Sequence, residues 1–190
     1  MRDPLVAERI DLPNGREKDE AVKFFMRSLN PGTNVVGVQR IQNMAMWQSY
    51  AVKRQGMSTR DKQKPEQAEK KWLFHGTSAD TVPKIIQQGF NRGFAGKNAV
   101  VYGAGVYFAK NSSYSASTTY SPPDSRGVQQ MFLVRVLAGH SCRGNNGQIV
   151  PDMRDASRHI LYDTTTNSDH SIFVTYHDAQ QYPEYLIRFK

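Results

Sequence analysis

The sequence predicts an α+β fold: a mostly antiparallel split β-sheet with flanking helices. Three observations predict it. Met131 to Leu137 is apolar on both faces apart from Arg135, which is the signature of a strand buried in mid-sheet. Further short apolar runs crowd the second half of the chain and are joined mostly by loops. Helical periodicity, in contrast, is concentrated early.

In chain order, residues 17–29 place Ala21, Val22, Phe25 and Leu29 at helical spacing. Acidic residues come early and Arg27 late, as the helix dipole favours. Residues 34–40 alternate as a strand. Residues 43–53 read as a helix with Met44, Trp47 and Ala51 on one face. Trp72 to Phe74 is a strand that stops at His75-Gly76. Ser78 or Asp80 can cap a helix that buries Val82, Ile85 and Ile86 and closes at Gly89. Residues 91–105 form a loop, Val106 to Ala109 a strand, and Asn111 to Tyr120 a polar helix ended by Pro122-Pro123. Residues 139–147 read as a tight turn. Residues 172–176 and 185–189 are the last two strands.

At 190 residues and 38% hydrophobic content, residues 1–190 are expected to form a single domain with a sizeable core. No apolar run reaches membrane-spanning length and no charged-then-apolar segment opens the chain, so neither a membrane partner nor export is expected. Cys142 is the only cysteine, which fits a reducing compartment, cytoplasmic or nuclear. The formal charge of +8 permits a polyanionic partner. Much of the excess lies in residues 53–71, read as a polar, basic connector. The aromatics that a nucleic-acid surface interleaves with its cations are absent there.

Motif by motif, most chemistry is excluded. Gly103-Ala104-Gly105 fails as a dinucleotide-binding turn, because the third glycine would fall at Phe108 and the pair precedes a strand. His75, His140, His159, His170 and His177 are too scattered for a metal site, so no metal is expected. No serine sits in a nucleophile elbow. What remains is Leu73-Phe74-His75-Gly76-Thr77, an apolar run that ends in a histidine and a glycine. There an imidazole can face a ligand while the glycine exposes its backbone polar groups. Taken alone, a satisfied core histidine accounts for it as well.

Read with Gly103 to Ala109, and with Ser171-Ile172-Phe173-Val174-Thr175-Tyr176 as a third element, this run resembles the NAD-holding strands of the diphtheria-toxin-like ADP-ribosyltransferases, specifically the poly(ADP-ribose) polymerase family. The resemblance covers residues 72–190. Asn91-Arg92, Ala95 to Ala99, Tyr120-Ser121-Pro122-Pro123-Asp124 and Tyr182 to Ile187 are similar to the branch that transfers a single ADP-ribose and whose longer members often carry macrodomains. The residues before this span are too few for the helical regulatory domain of DNA-activated members, so nucleic acid is not expected to be required.

The resemblance implies the following roles. His75, assisted by Thr77, would bond the adenosine ribose of NAD, the co-substrate. The Gly76 backbone and the Ser115 hydroxyl would grip the nicotinamide carboxamide. Tyr107 and Tyr120 would sandwich the nicotinamide ring, with Tyr114 sharing the pocket wall. Arg92 and Lys97 would face the adenosine–pyrophosphate half or simply solvent.

One position departs from the family pattern: Ile172 stands where the polymerising relatives carry a glutamate that polarises ribose hydroxyls. Isoleucine has no charge and no lone pair, so chain elongation loses its activator. Transfer to a protein Asp or Glu, including the chain's own, survives because that acceptor brings its own negative charge. The expected activity is therefore protein mono-ADP-ribosylation. Two alternatives stand beside it: a silent NAD- or ADP-ribose-binding module, and a nucleic-acid-binding domain suggested by charge alone.

Overall fold

A computed structural model describes residues 7–92 and 100–190. The chain runs β1 (Glu8–Asp11), α1 (Arg16–Met26), β2 (Val35–Gln42), α2 (Met44–Asp61), α3 (Pro65–Ala68), β3 (Glu69–Thr77), α4 (Val82–Gln88), β4 (Val106–Ala109), α5 (Ser112–Ser115), β5 (Gln129–Leu137), β6 (Ser141–Arg143), β7 (Met153–Asp155), β8 (Ile160–Leu161), β9 (Thr164–Thr166), β10 (Ile172–Thr175) and β11 (Gln181–Phe189). Nine strands form one sheet in the order β1-β2-β11-β5-β3-β4-β10-β9-β6, and β7 and β8 form a separate hairpin. Among these pairings only β6 with β9 is parallel. No helix among the described residues is long and apolar enough to cross a membrane.

The apolar run at Met131 to Leu137 lies in β5, between β11 and β3. Its side chains are buried except Arg135, which is half-buried. Two apolar layers cover the sheet. Leu73, Phe108, Phe132, Val134 and Phe173 pack under Val82, Ile85 and Ile86 of α4. Phe74, Met131, Leu133 and Ile187 pack under Ala21 and Phe25 of α1. α4 closes as expected: the Gly89 N–H donates to the Ile85 carbonyl at 2.8 Å, with Gly89 at φ 77°.

β3 and β11, on either side of β5, each carry one extra residue. Pairing skips between Lys71 and Leu73 on β3 and between Pro183 and Tyr185 on β11. The extra residue on β3, Trp72, sits in the left-handed region at φ 66°, a conformation costing a non-glycine residue about 1–3 kcal/mol. Its ring packs edge-on against Phe24 and Tyr185.

Three expectations are corrected here. Residues 53–71 are not a connector: helix α2 runs on to Asp61, α3 follows, and β3 begins at Glu69. Two of their cations are engaged in ion pairs, Arg54 with Glu66 at 3.0 Å and with Glu69 at 3.4 Å, and Arg60 with Asp61 at 2.5 Å and with Asp163 at 2.8 Å. Arg154 also bonds Asp61. Burial opposes ionisation of Asp61, but these two guanidiniums overcome it and hold its pKa at about 2. The buried face of α2 is Tyr50 and Met57, whereas Met44 and Trp47 are 51% and 39% exposed. Residues 139–147 contain the edge strand β6, whose parallel register with β9 is a tertiary contact that local composition does not signal.

Candidate active site

The site forms where β3 and β4 part. β3 pairs with β5 from Glu69 through Thr77, so the strand does not stop at His75 but carries it to the open end. With β4 it shares one registered pair, Phe74 with Ala109. Had that ladder continued, Gly76 would lie opposite Tyr107. Instead the His75 ring takes the Tyr107 carbonyl, at 2.9 Å from Nδ1. The imidazole thus stands in for a ladder bond and leaves the Gly76 backbone edge without β4 pairing. This is the split of the sheet.

That contact also sets the tautomer. A carbonyl only accepts, so Nδ1 carries the proton and Nε2 presents a lone pair in the neutral ring. Phe90 lies edge-on at 4.9 Å and Phe108 at 5.6 Å from the ring. Burial lowers the His75 pKa, with the Tyr107 carbonyl opposing, and the residue as a whole is half-buried. A neutral imidazole with an accepting Nε2 suits a sugar hydroxyl.

Gly76 is required by close approach. A Cβ built there would meet the Ser115 backbone oxygen at 2.3 Å, and the carbonyl carbons of Ser115 and Tyr120 at 3.2 Å. The buried Ser115 hydroxyl bonds the Phe74 carbonyl at 3.3 Å, so Phe74, Gly76 and Ser115 are drawn together. Helix α5 is held from behind, where the Ser112 hydroxyl donates to the Phe25 carbonyl at 2.6 Å. Thr77 is buried on the same strand, opposite Gln130.

The turn before β4 packs against β10. Cβ atoms at Gly103 and Gly105 would meet the Tyr176 hydroxyl at 1.8 Å and the Thr175 carbonyl at 2.2 Å. The Tyr107 hydroxyl donates to the Gly103 carbonyl and accepts from the Tyr102 N–H, both at 2.9 Å, which locks the ring against this turn. Ile172 pairs with Ala109 and Val174 with Tyr107. The Ile172 side chain is 3% exposed and lies in an apolar cluster with Ala109, Val174 and Tyr176, against which Tyr107 packs. Its N–H donates to the Asn167 side chain at 3.0 Å.

Beyond α5 the expected polar helix does not continue. It is a single turn, Ser112 to Ser115, followed by turns in which the Ser117 carbonyl accepts from the N–H groups of Tyr120 and Ser121. Serines and threonines there compete with helical backbone bonding. This irregular path brings Tyr114 and Tyr120 face to face, centroids 5.0 Å apart, with their hydroxyls 2.8 Å apart. The ring that stacks on Tyr120 is therefore Tyr114, which was expected only as pocket wall. Arg92 donates to the Tyr176 carbonyl at 3.0 Å, and Lys97 lies outside the described residues. The contacts of Phe90 and the anchoring Tyr102 N–H are features that sequence reasoning missed. Phe90 had a faint signal, a lone aromatic between Gly89 and Asn91-Arg92. A backbone N–H has none.

Comparison with known proteins adds to this geometry. The family model described as the poly(ADP-ribose) polymerase catalytic domain matches residues 18–190. The human protein mono-ADP-ribosyltransferase PARP14 is 47% identical over 80% of the chain, but that match takes in only 8% of the relative's length. The mouse protein mono-ADP-ribosyltransferases PARP10 and PARP12 are 34% and 36% identical over 100% and 96% of the chain, covering 20% and 25% of their own lengths. The chain thus spans a quarter or less of each of these relatives.

Proposed function

The chain belongs to the poly(ADP-ribose) polymerase catalytic-domain family, and from that premise we propose that it cleaves NAD and transfers one ADP-ribose to protein carboxylates, its own included. The observation that carries this reading is Ile172, buried in an apolar cluster where the polymerising relatives would carry a glutamate. Support for an NAD pocket comes from residues that fit its parts. His75 Nε2 offers an acceptor to a ribose hydroxyl. The Gly76 edge, with Ser115 behind it, suits a carboxamide. The tyrosine faces suit a planar pyridinium cation, an attraction of about 2 kcal/mol when desolvated.

The chemistry follows from charge. The bond between nicotinamide and ribose C1′ breaks with its electron pair going to the ring nitrogen, so a cationic pyridinium leaves as a neutral base and needs no general acid. Positive charge develops on the ribose, as in glycoside cleavage. An acceptor carboxylate supplies the electron pair for the new C1′–O bond, and no proton has to move. An acceptor sugar hydroxyl must lose a proton, and Ile172 cannot assist in that. Once a carboxylate is esterified its charge is gone, so transfer stops at one unit. We place this reaction in a reducing compartment, nuclear or cytoplasmic, without a requirement for nucleic acid.

Two measurements test the reading. Incubation with labelled NAD should give a sharp labelled band, and neutral hydroxylamine, which cleaves acyl esters, should release most of the label. A ladder of polymer would overturn the role given to Ile172. Saturable NAD binding without covalent label would establish the silent module instead. Separately, benzamide at about a hundredfold excess over its Kd should add about 2.7 kcal/mol of stability. For a chain of this size that raises Tm by about 5–10 °C. An unmoved melting curve would remove the carboxamide grip at Gly76 and Ser115.

A further inference from the structure

The two extra residues on either side of β5 touch one another. The Trp72 indole N–H donates to Glu184 Oε2, and Arg135, on β5 between them, donates to Glu184 Oε1 at 2.8 Å and to Glu69 at 3.2 Å. Trp72 is the unpaired residue of β3 and Glu184 that of β11. We propose that Glu184 is a positioning residue of the candidate active site: it ties the two bulges together and so sets the register that turns His75 toward its pocket.

The register shows what is at stake. Lys71 pairs with Arg135, but Leu73 pairs with Val134, because Trp72 is left out of the count. Without that extra residue His75 would lie opposite Met131. With it, His75 lies opposite Phe132. Side chains alternate along a strand, so a slip of one residue sends each to the other face. The bulge therefore places the imidazole on the side of Phe90, Phe108 and Phe132. The unslipped register would turn it toward the Met131 side, under α1.

Trp72 is held there against its own backbone preference, at φ 66°. A side-chain bond that crosses β5 to the matching bulge can hold it, and Arg135 fixes the same carboxylate. Buried ion pairs add little to stability when compared with apolar packing, and the fixing of register is their best-attested use.

The proposal rests on the reading in which His75 and Gly76 hold NAD. Its test compares Glu184→Ala, Glu184→Gln and Trp72→Phe well below their melting midpoints, by benzamide Kd, KM and kcat for NAD, and the nitrogen NMR signals that report the His75 tautomer. Glu184→Ala should weaken benzamide binding and raise KM by about tenfold or more, with a smaller change in kcat, and should disturb the Nδ1–H signal. Glu184→Gln, whose amide oxygen still accepts from the indole but whose NH2 cannot accept from Arg135, should recover part of the affinity. Trp72→Phe keeps the ring packing and should move both readouts in the direction of Glu184→Ala. If Glu184→Ala melts earlier but keeps wild-type affinity and wild-type histidine signals, the proposal is overturned. If Glu184→Ala does not fold, Trp72→Phe decides by the same readouts. A wild-type protein that binds no benzamide would sink the NAD reading, while the histidine signals would still decide the register.

Discussion

Gly76→Ala is expected to reduce ADP-ribose transfer to about 1% of wild type or less, the scale of loss that follows a displacement of about 1 Å at a reacting site. In most strands the change would be neutral or mildly stabilising, because alanine loses less backbone freedom on folding than glycine. Here the new methyl would lie 2.3 Å from the Ser115 backbone oxygen and against the Tyr120 carbonyl carbon, and neither is the free end of a flexible side chain. The segment that must yield carries Tyr114, Ser115 and Tyr120 together. One methyl group would thus displace several proposed ligand contacts at once. Labelled-NAD transfer, with circular dichroism to confirm the fold, checks this. Transfer within about threefold of wild type would mean that the segment is not part of the site.

His75→Ala is expected to lower transfer by about a hundredfold while the domain stays folded. Among the described residues the ring makes one hydrogen bond, to the Tyr107 carbonyl, and its loss costs about 1–3 kcal/mol. That corresponds to a fall in Tm of no more than about 12 °C for a chain of this size. The functional loss would be larger, because the same ring takes the Tyr107 carbonyl beside Gly76 and, in the proposed pocket, would offer Nε2 to the ribose. The pH profile carries a second mark of this role. Burial lowers the His75 pKa, so the ring stays neutral through pH 7 and into the mildly acidic range. Transfer should be flat across neutrality and fall only at lower pH, where protonation turns Nε2 from acceptor to donor. A folded His75→Ala protein with near-wild-type transfer would end the ribose-binding assignment.

What the sequence disclosed, and what it hid, divides by range. Met131 to Leu137, Val106 to Ala109 and the face of Val82, Ile85 and Ile86 were readable because each is a local pattern of apolar residues. His75-Gly76 was readable as a motif, and the family model bears out the resemblance built on it. Residues 53–71 misled because their order comes in part from partners far along the chain, such as Asp163 for Arg60 and the apolar contacts of Met57 and Ala68 with Leu137 and Tyr182. A polar helix stabilised in that way looks like a connector when read locally. β6 to β9 are two or three residues long and are defined by pairing, not by propensity. The stacking of Tyr114 on Tyr120 depends on the path the chain takes after α5 breaks off, which five intervening side chains of weak preference do not encode.

For the proposed NAD pocket, the fixed hydroxyl of Tyr107 bears on inhibitor design. Its one proton is committed to the Gly103 carbonyl, and it receives the Tyr102 N–H in return. A compound that directs a carbonyl or a carboxylate at this phenol gains no donor and must break the turn to obtain one. Affinity at Tyr107 should therefore come from the ring face alone, through flat, electron-poor heterocycles. Among the described residues, the hydroxyls of Tyr114 and Tyr120 bond to each other across an exposed edge, and they are the phenols that an added polar group can recruit. Selectivity among related pockets is then best sought at that outer pair, with the inner tyrosine treated as a rigid platform.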